Sequence, residues 1–248
     1  MGFKPEGYLF EKEILVFGLK RSGMHAIINW IMGHYENKDD YFFQNDTDLS
    51  FYDRGKTGRI SHIGKKLTPG IPKCYINLTE HLSIKELPGR LHQFNEIKNT
   101  HVAKMFSKMV FSQKEFRILC IRDPKNNYAS LKSSGTGREK KESFVENWME
   151  YAHTALPTKD MIVVIYDKWF TNIEYRKNIS KQLELKFSDK NLNSIFRSGS
   201  SFNGFDFDGR AQQMDVLNRW KNYEGTSDME RIITETEFTW RQLCTTTK

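Results

Sequence analysis

The stretch Ile14-Leu15-Val16-Phe17-Gly18-Leu19-Lys20-Arg21-Ser22-Gly23, followed by Ala26-Ile27-Ile28-Asn29-Trp30-Ile31-Met32, constrains the fold of this chain more than any other segment. An apolar run, a turn opened and closed by glycine, and a second apolar run at helical spacing read as strand, glycine-rich loop and helix. That geometry aims backbone N–H groups and a helix N-terminus at an anion. Glycines in a strand-to-helix turn also serve tight packing, so the loop alone leaves phosphate binding and simple packing equally open.

Further apolar runs bounded by turn signals predict buried parallel strands over 13–18, 116–122 and 161–166, with weaker candidates near 73–77 and 96–101. Helical spacing predicts helices over 24–34, 102–113, 124–133, 141–156 and 172–185. Alternation of this kind favours an α/β fold, a mostly parallel central sheet flanked by helices. At 248 residues and 38% hydrophobic content, one domain spanning 1–248 is expected. The polar or turn-rich stretches 37–72, 138–142 and 188–209 are expected to frame an acceptor.

A formal net charge of +7 fits an anionic partner without choosing it. The denser patches, Arg54, Lys56, Arg59, Lys65 and Lys66, then Arg138, Lys140 and Lys141, read as solvated basic faces. No long basic arm with interleaved aromatics is present, so nucleic acid is not the expected partner. Cys74, Cys120 and Cys244 lack metal-ligand spacing and read as reduced, mostly buried thiols; no metal site is expected. No apolar run approaches ~18 residues and the N-terminus lacks a signal-peptide core, so no transmembrane segment and a soluble, cytoplasmic enzyme are expected. Oligomeric state is not legible.

The spacing Gly18-x4-Gly23 is that of a phosphate-binding loop, but Met24 and His25 stand where a nucleoside-triphosphatase places Lys and Ser or Thr. Without that Lys and a hydroxyl for Mg²⁺, ordinary ATP or GTP chemistry loses its main parts. Lys20 and Arg21 supply cationic charge within the loop instead, a composition suited to one phosphate group without a metal. A second signature lies about 100 residues on. Arg122 closes the run Phe116-Arg117-Ile118-Leu119-Cys120-Ile121, Asp123-Pro124-Lys125 opens a helix, and Ser130 lies two turns in, on the side that can face Arg122. The two signatures together, in this order, favour a nucleotide.

On Arg21-Ser22-Gly23-Met24-His25 and on Arg122 with Ser130 eight residues later, the chain resembles the sulfotransferase family, P-loop-related enzymes that use 3′-phosphoadenosine 5′-phosphosulfate (PAPS) and release the desulfated nucleotide (PAP). The resemblance implies a P-loop NTPase-like sulfotransferase fold and a sulfuryl transfer to an acceptor hydroxyl, with a carbohydrate as the favoured acceptor class. Gly18, Lys20, Arg21, Ser22, Gly23, Met24 and His25 would bind the 5′-phosphosulfate, with the ring of His25 offering a donor in place of the family's hydroxyl. Arg122 and Ser130 would bind the 3′-phosphate, and Arg210 in the late basic loop would close over it. Trp30, Trp148, Trp169 and Trp220 are read as packing, and no adenine contact is assigned.

Transfer requires a base on the acceptor and positive charge on the group in flight. Lys98-Asn99-Thr100-His101 is similar to the family's Lys-Thr-His segment, which makes His101 the expected general base, with Glu80 its rival. Arg21, immediately before Ser-Gly, is the expected electrostatic catalyst; a guanidinium stays charged and does not act as an acid. Two other readings stand beside this one. A small-molecule P-loop kinase would need a loop Lys and Mg²⁺ ligands, and a non-catalytic polyanion or nucleic-acid binder would lose affinity steeply with salt.

Overall fold

The computed structural model describes residues 7–37, 40–44, 73–81, 109–135, 143–156, 158, 160–196 and 202–247. Among these the order is β1 (Gly7–Leu19), α1 (Met24–Met32), β2 (Tyr41–Gln44), β3 (Cys74–His81), β4 (Met109–Ile121), α2 (Pro124–Ser133), α3 (Phe144–Ala155), β5 (Ile162–Ile165), α4 (Tyr166–Thr171), α5 (Ile173–Gln182) and α6 (Ser227–Thr246). The strands form one sheet in the order β2-β3-β1-β4-β5. Tyr41 pairs with Cys74 and Gln44 with Asn77, in parallel; Ile118 pairs with Ile162 and Ile121 with Ile165, also in parallel. The expected α/β class with a mostly parallel sheet is the one observed. From β1 the chain crosses to β2 and β3 on one side, then to β4 and β5 on the other, so the topological switch lies between β1 and β4. Crevices outside the carboxyl ends of strands at such a point are where α/β sheets place ligands.

The chain divides into two compact units. The first comprises Met1–Val16, Tyr35–Thr79 and Ile84–Arg117. Within its described residues, Phe10 of β1 packs against Tyr75 of β3 with ring centroids 5.3 Å apart, and Phe43 is fully buried. Glu13 is buried on β1, and Ser112 Oγ of β4 donates to its Oε2 at 3.1 Å, which supplies a partner that a buried carboxylate needs. Burial pushes the Cys74 thiol up to about 12, so it stays an inert thiol, as expected.

The second unit comprises Phe17–His34, Glu80–Ser83 and Ile118–Lys248. Its core gathers Ile27, Trp30 and Ile31 of α1, Ile118 to Ile121 of β4, Trp148 of α3 and Val164 and Ile165 of β5, all buried. The long helix α6 turns Met229, Ile232, Thr236, Thr239 and Leu243 inward and packs on α2 and α3. Among the described residues no helix is long and apolar enough to cross a membrane.

The structure differs from expectation in four places. The helix expected over 102–113 fails where it can be seen, because Met109 onward already belongs to β4. The apolar run 116–121 is only the carboxyl end of that strand, and the polar residues Ser112 to Glu115 separate it from the rest. Strand β2 falls inside a stretch read as polar loop. Helix α6 was not anticipated, because two of its five inward positions are threonine.

Candidate functional site

The site is built within the second unit, from the loops that follow β1, β4 and β5. After β1 the chain turns through Lys20 to Gly23, with the Ser22 N–H donating to the Leu19 carbonyl at 3.0 Å. Gly18 has no room for a side chain: a Cβ would lie 2.7 Å from Met24 Sδ and 2.9 Å from the Cys120 carbonyl. Gly23 caps α1 at φ 95°, and a Cβ there would lie 2.2 Å from Cδ2 of Tyr166. Arg21 adopts φ 70°, a left-handed conformation that costs a non-glycine residue about 1–2 kcal/mol. Strain of this kind collects where a ligand needs a particular backbone. Asn127 Nδ2 anchors the turn from below by donating to the Lys20 carbonyl at 2.9 Å.

Arg122 stands at the end of β4, and only 3% of it is exposed. Its Nη2 donates to the Val216 carbonyl at 2.7 Å and its Nη1 to the Arg21 carbonyl at 3.4 Å. The guanidinium lies 4.8 Å over the ring of Tyr166, and its Nε has no hydrogen-bond partner. Trp148 Nε1 fixes the backbone by donating to the Arg122 carbonyl at 3.0 Å. Asp123 then caps α2, its Oδ1 accepting from the Lys125 N–H at 2.8 Å and the Asn126 N–H at 3.3 Å. The Asp123 N–H in turn donates to Asp167 Oδ2 at 2.9 Å, joining the β4 and β5 loops. Burial pushes the Asp167 carboxyl up to about 6; the Arg122 charge opposes the shift and Asp123 adds to it.

These loops enclose a cavity of about 140 Å³. One part of its lining is cationic, with Arg21, Arg122 and Arg219 beside Ser130 and the α1 N-terminus at Gly23 to His25. The first amides of a helix lack intrahelical acceptors and favour an anion. Burial, with the charges of Arg122 and Arg21 adding to it, lowers the Arg219 guanidinium to about 10. Arg219 Nη2 donates to Asn203 Oδ1 at 3.2 Å, and the group lies 4.7 Å over the Phe202 ring. Apart from Ser194, the remaining lining is apolar and aromatic, including Trp169, Phe170, Leu192, Phe196 and Met214.

Side chains outside the cavity hold that apolar wall. Asn29 of α1 donates through Nδ2 to Ser194 Oγ at 2.8 Å and to the Ser194 carbonyl at 3.1 Å, while Asn191 Nδ2 donates back to the Asn29 carbonyl at 3.1 Å. Arg176 of α5 forms a two-point pair with Asp189 at 3.0 Å and donates to the Trp169 carbonyl at 2.8 Å. The arrangement suits a ligand with phosphate-like charge at one end and a flat, less polar body at the other.

Of the residues expected from sequence, Arg21, Gly23, Met24, His25, Arg122 and Ser130 line one cavity. Gly18, Lys20 and Ser22 shape the turn without lining it; Ser22 is fully buried and its Oγ has no hydrogen-bond partner. Arg210 is exposed, bonds the Asp206 carbonyl at 3.3 Å and lies over Phe207, outside the lining. The late arginine in the lining is Arg219, nine residues further on, in the Asn218-Arg219-Trp220-Lys221 segment whose basic character was visible but whose direction was not. Trp169 also lines the cavity, whereas Trp30 and Trp148 are buried packing residues. Glu80 lies on β3, and His101 lies outside the described residues.

A glycine-rich turn between strand and helix faces an arginine at the end of the neighbouring strand in an α/β fold with a mostly parallel sheet. Comparison with solved structures narrows the fold. The structure is similar to mouse sulfotransferase SULT7A1 complexed with PAP, at a TM-score of 0.53 and 14% identity over 97% of this chain and 90% of that chain. It is also similar to the sulfotransferase domain from the Synechococcus PCC 7002 olefin synthase, at a TM-score of 0.46 and 16% identity over 94% of this chain and 98% of that chain. The chain has the sulfotransferase fold. No protein-family model matches it, and no curated protein matches it.

Proposed function

We propose that residues 1–248 form one sulfotransferase domain that moves a sulfuryl group from PAPS to an acceptor hydroxyl, with a carbohydrate as the acceptor class. The observation that carries this reading is the convergence of Arg21, Arg122 and Arg219 with Ser130 and the α1 N-terminus on one cavity of a sulfotransferase fold. The residues present fit the group. The buried Arg122 Nε and the Arg21 Nε are donors without protein acceptors, and the turn carries a left-handed arginine where a close backbone approach is needed.

The bound donor would supply an activated sulfuryl group on its 5′-phosphate. Arg21 and the amides of Gly23, Met24 and His25 would hold that 5′ end, stabilising charge that grows on the bridging oxygen. Arg122, Ser130 and Arg219 would hold the 3′-phosphate. The ring of Tyr166, fixed between Gly23 and Arg122, would orient the adjoining part of the nucleotide together with Trp169 and Phe196. His101 is the proposed base that takes the acceptor proton.

Calorimetric titration with PAP in EDTA tests the reading, with wild type beside Arg122→Ala and with AMP as the competing ligand. Micromolar, metal-free binding of PAP that exceeds AMP and falls at least 100-fold in the variant is expected, because a buried charge pair is worth about 3 kcal/mol or more. Equal binding of AMP, or no binding by wild type, overturns it. An acceptor screen with His101→Ala as the control then tests the acceptor class.

A further inference from the structure

Segment 188–196 forms neither helix nor strand, yet its course along α1 is fixed. At the carboxyl end of that helix, Ser188 Oγ donates to the Gly33 carbonyl at 3.1 Å and Trp30 Nε1 donates to Asp189 Oδ1 at 2.8 Å. Gly33 permits the close approach, since a Cβ there would lie 3.0 Å from the backbone nitrogen of Asn191. One turn before Gly33, Asn29 holds Ser194 through its carbonyl and Oγ, and Asn191 bonds back to the Asn29 carbonyl. At the first turn the ring of Phe196 lies 6.4 Å from that of His25. The segment therefore runs back along α1, from Gly33 to the end that faces the phosphate turn.

Its other side is part of the cavity, where Leu192, Ser194, Ile195 and Phe196 belong to the lining. Ser194 is exposed, and Ile195 and Phe196 are only half-buried. Side chains this open gain little from apolar packing, so polar anchors must set their position. Away from α1, Asp208 Oδ1 accepts from the Ile195 N–H at 2.8 Å and the Asn193 carbonyl accepts from the Ala211 N–H at 3.0 Å. Toward α1 the anchor is Asn29, 6% exposed, whose Nδ2 also reaches the Asn191 carbonyl at 3.3 Å. Two backbone carbonyls face this side chain, so the position calls for a donor, which an amide provides and a carboxylate does not.

We propose that Asn29 is a positioning residue for the body of the nucleotide: it locks the wall at 192–196 to the helix whose N-terminus would hold the phosphate end. The assignment rests on the sulfotransferase reading above, in which Phe196 and Trp169 orient the nucleotide. Asn29 is not part of the lining and acts through Ser194 and its neighbours. Helix α1 then works as a ruler, keeping phosphate turn and apolar wall at one separation. A ligand that spans both gains from a wall already in place, whereas a ligand that offers only phosphates does not sense it.

The test compares two ligands by calorimetry on the full chain: PAP, and its abasic analogue 1,4-anhydroribitol 3,5-bisphosphate, which keeps both phosphates and lacks the flat base. Asn29→Ala is expected to weaken PAP about tenfold and the abasic ligand less than about twofold. Asn29→Asp, of nearly the same shape but with an acceptor where the donor stood, should weaken PAP at least as much with the same selectivity. Retained affinity for the abasic ligand shows that each variant is folded, because a general loosening of the site would weaken both ligands alike. Asn191→Ala removes the bond returned to the Asn29 carbonyl; it should weaken PAP about threefold and selectively, and it decides the outcome if Asn29→Ala does not fold. Equal losses for the two ligands, or PAP affinity within about twofold of wild type in the variants, overturn the proposal while leaving wild-type PAP binding intact. If wild type binds no PAP, the sulfotransferase reading falls and takes this assignment with it.

Discussion

Two of the three arginines that line the cavity come from segments of different kinds. The turn at 18–23 delivers Arg21 through local backbone rules: glycines that no side chain can replace, one left-handed arginine and a helix start. The stretch at 211–223 delivers Arg219 through tertiary anchors. Arg122 Nη2 donates to the Val216 carbonyl, Asn126 Nδ2 donates to the Leu217 carbonyl at 2.8 Å, and Asn126 Oδ1 accepts from the Trp220 N–H at 3.3 Å. Lys125 lies 4.7 Å over the Trp220 ring. The first segment carries most of its shape in its own residues, with Asn127 and Arg122 holding only its Lys20 and Arg21 carbonyls, whereas the second borrows its shape from Arg122, Lys125 and Asn126. A segment of the first kind can be recognised alone; one of the second kind has to be seen in place.

If that contrast holds, the most damaging change belongs to the turn. Gly23→Ala places a methyl within the Tyr166 ring and demands a left-handed alanine, which should cost about 3 kcal/mol. Thermal denaturation should show a midpoint lowered by roughly 10 °C, with nucleotide binding lost. A variant of wild-type stability would break the comparison.

Asn126→Ala sharpens it from the other side. Two polar groups of the late segment lose their buried partner, at a cost of about 2 kcal/mol. Calorimetry should give PAP affinity roughly tenfold weaker while the loop at 18–23 remains intact, visible as unchanged signals of its amides.

A smaller effect is expected where the β4 and β5 loops meet. Asp167 has a folded pKa raised to about 6, above its unfolded value. The folded state therefore binds the proton more tightly, and the stability this contributes is complete below about pH 4 and lost as pH rises through about 6. Asp167→Asn should remove that dependence, so the wild-type stability measured against the variant should fall across this window. Parallel pH curves for the two proteins would contradict it. Arg210→Ala should do least: the residue is exposed and outside the cavity, and PAP affinity should stay within twofold.

The same contrast explains how far the sequence could be read. Strand β1, the turn and α1 were legible because hydrophobic period, glycine positions and helix onset agree locally. So was α2, where Pro124 sits in the first turn and Asp123 caps it. The pairing of Arg122 with Ser130 across one cavity follows from spacing on a strand and two helical turns. Arg219 was passed over for Arg210 because choosing between two arginines in a turn-rich stretch depends on Asn126, a residue 93 positions away from Arg219 whose bonds no local pattern encodes. Helix α6 was missed because Thr236 and Thr239 complete its inward stripe, and hydroxyl residues do not register as hydrophobic. The start of β4 was mistaken for helix because 102–113 carries apolar residues at helical intervals, while the strand is set by its place in the sheet.

The three guanidiniums have one consequence for handling the protein. Arg219 holds its proton less firmly because it is buried and because Arg122 and Arg21 stand close by, so the cavity acts in part like a compressed spring of like charge. Any dianion that settles among them relaxes the spring, and the fold gains stability in proportion to the logarithm of its concentration. On the proposed function, phosphate or sulfate in a purification buffer is expected to raise the thermal midpoint above that in chloride at equal ionic strength, which thermal denaturation in the two salts checks.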